Sequence, residues 1–202
     1  MDQATAEIAQ TAARLVVEEG LEWGPAKHRA LRQLGLPART ALPGNDLVEE
    51  AVREYIALFC ADTQPQELQA LRELALQWMD RLAEFRPHLA GAVWRGTATR
   101  LSDIYLQLFC DDPKSAEIAL INQHVEYEPS TVTGFTGQAV EALSIHAFCR
   151  PLNESVGVHL LVYDHDDLRG ALKPDGQGRS PRGSADALRR LLDQDEEEAD
   201  RG

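Results

Sequence analysis

The chain has 202 residues, 44% of them hydrophobic, with 33 acids against 20 lysines and arginines and a net charge of −13. That composition is that of a globular protein, and the charge excludes a general nucleic-acid binder, which needs a basic surface for phosphates. No apolar run approaches the ~20 residues of a membrane helix and residues 1–10 lack the layout of a secretory signal, so a cytoplasmic location without membrane contact is expected.

The first 85 residues read as a helical region. Ile8, Ala12, Leu15 and Val16 recur at helical spacing and Gly20 stands where a helix stops, so a helix is predicted over 5–19. A shorter one is predicted over 25–34, with Pro25 in its first turn and Gly35 at its end. The segment LPARTALPGN breaks the pattern. Asn45 is then placed to cap a helix whose apolar stripe is Leu47, Ala51, Tyr55, Leu58 and Phe59. A further long helix starts near Pro65, carries Leu68, Leu71, Ala75, Trp78, Met79 and Leu82 on one face, and ends before Pro87.

From residue 86 to 192 the period changes. A short apolar run covers 89–94, and DIYLQLFC at 103–110 alternates as a strand does. Asp112 and Pro113 suit the start of a helix through about residue 123, and further strands are predicted over 124–128, 140–149 and 156–163. Helices leading into strands with one helix between them predict an α+β fold: a helical N-terminal half (1–85), then a mixed sheet (86–192). Residues 193–202, with six acids and one arginine, read as an acidic disordered tail. Cys60, Cys110 and Cys149 lie far apart and read as small core residues, not as a disulfide or metal framework.

The informative stretch is GAVWRGTATRLSDIYLQLF at 91–109. A glycine after an apolar run, a second glycine five residues on, and Ser-Asp opening the next strand can cradle a phosphate and hold a metal against it. Gly91, Arg95, Gly96, Ser102, Asp103 and Ile104 here resemble the signature of the nucleotidyltransferase fold superfamily, the DNA polymerase β-like group, especially small bacterial nucleotidyltransferase-like proteins of unknown function. The resemblance covers about residues 89–165. It implies a nucleotide or phosphorylated small molecule as ligand, Mg²⁺ as cofactor, Asp103 as catalytic metal ligand, and phosphate contacts from Gly91, Arg95, Gly96, Thr97 and Ser102.

Departures from that pattern bear on function. Active members bind two metals through two carboxylates one residue apart and a third on a later strand. Here Tyr105 stands at the second position, Ala92 replaces a serine, and His159 falls where the third acid belongs, so the metal set is Asp103 with His159. Glu126, Glu128 or Glu141 is the alternative source of a missing acid. The expected function is therefore ligand binding with weak or no transferase activity. The alternatives are an active Mg²⁺-dependent nucleotidyltransferase, and a non-catalytic protein that binds a partner or a second copy through its N-terminal helices. Arg169, Lys173, Arg179 and Arg182 make a basic stretch that can fold over the sheet edge and hold an anion.

Overall fold

The computed structural model describes residues 3–176 and 178–199. It divides into two units: Met1–Glu67 with Thr97–Leu101, and Leu68–Gly96 with Ser102–Gly202. The division thus falls at 67/68, not at the expected 85/86, because most of the fourth helix packs with the sheet. Among the described residues no helix is long and apolar enough to cross a membrane.

The first unit holds α1 (Gln3–Glu19), α2 (Trp23–Gln33), α3 (Asn45–Phe59) and the first residues of α4 (Gln64–Arg81). Ile8, Ala12 and Leu15 of α1 meet Ala26 and Ala30 of α2 and Val48 and Val52 of α3 in one buried cluster. Two details differ from expectation. Gly44, not Asn45, precedes α3 as its cap, because the Asn45 side chain accepts a hydrogen bond from Lys27 Nζ at 2.9 Å. The buried stripe of α3 is Val48, Glu49, Ala51, Val52 and Ile56, which leaves Leu58 and Phe59 75% and 69% exposed. Both stripes have helical spacing, and burial of Glu49 is met by its ion pair with Arg53 at 2.7 Å.

The second unit is an α+β domain with a six-stranded mixed sheet. Its strands are β1 (His88–Ala90), β2 (Ile104–Cys110), β3 (Glu128–Thr133), β4 (Ala139–Cys149), β5 (Glu154–Asp164) and β6 (Arg182–Ser184), in the order β3-β4-β5-β2-β1-β6. The β2–β5 pair is parallel and the others are antiparallel. Strand side chains alternate between faces, and here the two faces differ. One carries Leu106, Leu108, Leu143, Val158 and Leu160, all fully buried. On the other, Phe109 and Tyr163 are buried under Phe135 and Ala171, while Ser144, His146 and His159 stay partly or wholly open.

The predicted run at 89–94 is a strand only to Ala90. Gly91, at φ +72°, turns the chain into the short helix α5 (Gly91–Arg95). The predicted strand at 124–128 begins instead at Glu128, because His124, at φ +55°, closes the end of α6 (Lys114–Asn122) in a left-handed turn. β3 itself is exposed throughout, so no apolar alternation marked it in sequence.

The expected disordered tail is corrected over 193–199, which continue α8 (Ala185–Ala199); 200–202 lie outside the described residues. The physical reason is a buried guanidinium. Arg72 of α4, 5% exposed, donates from Nε to Val93 O (3.1 Å), from Nη2 to Trp94 O (3.3 Å) and from Nη1 to Asp195 Oδ2 of α8 (2.8 Å). Burial lowers its pKa and Asp195 opposes that shift. Replacing it, Arg72→Met, leaves the α5 carbonyls and Asp195 without a donor and is expected to cost about 2 to 4 kcal/mol in a chemical denaturation midpoint measurement, with Asp195→Asn costing less than half of that.

Candidate functional site

One cross-strand row organises the open face. Glu128 pairs with Ser144, Ser144 with His159, His159 with Tyr105, Tyr105 with Ala90, and Ala90 with Arg182. Register therefore brings Ser144 and His159 together, and the two hydrogen-bond through Oγ and Nδ1 at 2.9 Å. On the other side of the ring, Nε2 lies 2.9 Å from Oδ2 of Asp103, the residue that opens β2. In the tautomer with the proton on Nε2, the chain runs from the Ser144 hydroxyl through His159 to the Asp103 carboxylate.

Asp103 is held there by a missing side chain. A Cβ on Gly157 would stand 2.8 to 2.9 Å from the Asp103 carboxylate atoms, closer than real contacts allow. Glycine at 157 is thus what permits the carboxylate to lie against β5. The Tyr105 ring packs on the His159 ring with centroids 4.9 Å apart and on Gly91, whose hypothetical Cβ would lie 3.6 Å from it. The Asp103 side chain remains 45% exposed and that of His159 24%, so both are open to a ligand. Beside them a groove of about 530 Å³ is lined by Val125, Glu126, Tyr127, Glu128, Ser144 and His146.

The other predicted residues are placed less uniformly. Arg95 ends α5. Gly96, at φ +84°, caps that helix and its N–H donates to Ala92 O at 2.9 Å, so it is not a donor for a phosphate. Thr97 is buried in the first unit with its hydroxyl unpaired among the described residues. Ser102 is half-buried next to Asp103. Arg169 and Lys173 are exposed, Lys173 just beyond α7 (Leu168–Ala171), and Arg179 pairs with Asp175 at 3.4 Å. Glu126 and Glu128 reach the groove, whereas Glu141 is engaged by Lys114 at 3.2 Å. Asp164 caps the following turn by accepting from the Asp166 N–H at 2.9 Å.

The donor set fits Mg²⁺ poorly. Mg²⁺ demands several oxygen ligands in octahedral geometry, and Asp103 offers one carboxylate with one oxygen already engaged by imidazole. Among the described residues no group of three or more His, Cys, Asp or Glu could hold a metal. What the arrangement can do is bind and exchange protons: an exposed carboxylate accepts from a ligand hydroxyl, and the imidazole links it to Ser144.

Ser144 and Gly157 were not singled out by sequence reasoning. The alternation of LSIHAFC places Ser144 and His146 on one face, but only the β4–β5 register shows that Ser144 meets His159. No protein-family model matches the chain, and neither a curated protein nor a solved structure does. Gly157→Ala should push the Asp103 carboxylate off β5 and break its contact with His159. Imidazole ¹⁵N NMR checks this, with a change in the His159 Nε2 signal expected and an unchanged signal counting against the steric account.

Proposed function

We propose that this protein binds a nucleotide or another phosphorylated small molecule on the open sheet face around Asp103 and His159, with weak or no transferase activity. One observation carries the reading. The two residues that the nucleotidyltransferase resemblance marks as metal positions, at the start of one strand and on a distant one, stand 2.9 Å apart on an exposed face. The β1–α5–β2 unit supports it, since Gly91 follows β1 and packs against Tyr105 beside the pair. The weakness of the chemistry follows from the donor set. Tyr105 cannot bridge two metals, and an active Mg²⁺-dependent enzyme would need Glu126 or Glu128 to move onto Asp103.

Calorimetric titration with ATP, CTP, GTP and UTP, with and without Mg²⁺, tests it. Binding of at least one nucleotide is expected, weakened about tenfold or more in Asp103→Asn and in His159→Ala, a loss of about 1.4 kcal/mol or more. No binding at millimolar concentration, or binding indifferent to both substitutions, would sink the reading.

A second reading, an interaction protein using its helical half, is favoured by the outward apolar end of α3. Leu58 and Phe59 are exposed beside a groove lined by Gln10, Arg14, Ala51 and Tyr55. It expects self-association in sedimentation velocity that Phe59→Ser reduces; a monomer at all concentrations would leave a homodimer without support.

A further inference from the structure

The hydroxyl of Ser144 stands where a base can take its proton. Its Oγ lies 2.9 Å from Nδ1 of His159, and Nε2 of the same ring lies 2.9 Å from Oδ2 of Asp103. The partners decide which ring nitrogen holds the hydrogen. An ionised carboxylate only accepts, so Nε2 carries the proton and Nδ1 is left bare to accept from the Ser144 hydroxyl. A hydroxyl bonded to an imidazole that a carboxylate orients in turn is the arrangement that makes an alcohol reactive near neutral pH.

Three strands hold the series in place. Ser144 on β4 and Tyr105 on β2 flank His159 on β5 through the ladder register, the Tyr105 ring packs on the imidazole, and Gly157 leaves room for the Asp103 carboxylate. All three groups are thus positioned by the sheet before any ligand arrives. The hydroxyl also has access. Ser144 is half-buried and forms part of the wall of the groove of about 530 Å³. Val125 and the Tyr127 ring give that groove apolar surface, with the Tyr127 hydroxyl tied to Glu117 at 2.8 Å, and the exposed carboxylates of Glu126 and Glu128 repel an anion. An uncharged or amine-bearing acyl group therefore suits it.

We infer that Ser144 is the nucleophile of an acyl-transfer site that acts on an uncharged or amine-bearing ester seated in this groove. Oγ attacks the ester carbonyl carbon while its proton passes to Nδ1 of His159, and Asp103 stays ionised against the imidazolium that forms. The bond from that carbon to the alcohol oxygen then breaks, the proton on Nδ1 leaves with the alcohol, and the acyl group remains on Oγ. Water repeats the sequence, giving the carboxylic acid and free Ser144. The balance needs only the ester and water, so the inference goes beyond the nucleotide reading and does not rest on it, although the two share Asp103 and His159.

The test treats the full chain, in nucleotide-free buffer, with an uncharged alkyl fluorophosphonate, which reacts with nucleophilic serines as an activated ester does but stays attached. Peptide mass spectrometry reads the rate and position of the adduct, and release of p-nitrophenolate from p-nitrophenyl butyrate reads acceptance of an acyl group. Ser144 is expected to be labelled and the exposed Ser130 of β3 to stay free. His159→Gln is expected to slow both reactions about 100-fold or more, and Asp103→Asn about tenfold or more. Ser144→Ala is expected to abolish both; if it fails to fold, the adduct position in the unaltered chain and the His159→Gln rate decide. Absence of an adduct on Ser144, or an equal rate in His159→Gln, overturns the inference and makes Ser144 a residue that only satisfies the imidazole. An adduct on Ser144 without p-nitrophenolate release overturns the acyl assignment. Because no nucleotide is present, failure here leaves the nucleotide titration standing, and failure of that titration leaves the labelling expected.

Discussion

The Arg72 guanidinium is the constraint on which the sheet domain depends. A five-residue helix has no stability of its own, since nucleation costs more than so few hydrogen bonds return. Its terminal carbonyls would face a buried interior without donors. Arg72 supplies those donors to Val93 and Trp94, and its remaining nitrogen draws in Asp195. One side chain therefore ties α4, α5 and α8 together and gives an otherwise acidic segment a reason to stay helical.

The polar centre on the open face follows a different electrostatic logic from a metal site. Clustered carboxylates repel one another and need cations to coexist. An aspartate, an imidazole and a hydroxyl in series need none, because each donor has its acceptor within the protein. A histidine and a tyrosine beside a single aspartate leave a hydrogen-bonded chain that is complete when the sheet forms. The same sheet carries a contrasting corner at Arg182, a buried guanidinium that pairs with no carboxylate among the described residues and lies over the Phe135 ring. Side by side, the two show that burial and exposure were arranged separately at the two ends of one face.

Much of the architecture is legible in sequence because it rests on periodicity. The stripes of α1 and α4 and the alternation in β2, β4 and β5 each come from a face that must be buried, so residue type reports position. Elements held by other means are silent. β3 buries nothing, α5 owes its existence to Arg72, and α8 is fixed by Leu188 and by an ion pair with a residue 123 positions earlier. The α3 stripe was ambiguous in principle, because two sets of apolar residues share helical spacing and an i,i+4 ion pair with Arg53 helps make Glu49 a tolerable inward residue. At the site, Asp103 and His159 could be named from a motif, whereas Ser144 and Gly157 could not. Their roles exist only through register, and register is a property of the folded sheet.

The β2–β5 ladder has a consequence for assembly. Asp103 and His159 are 56 residues apart, and the chain between them contains α6 and the two antiparallel hairpins that join β3, β4 and β5. Those local pieces can form from near neighbours, but parallel pairing must wait until the long excursion closes, which makes it the slow and entropically costly step. The polar centre is therefore a signature of completion. A chain with every helix and hairpin in place but that ladder unzipped would be compact and rich in secondary structure, and would still lack the centre entirely.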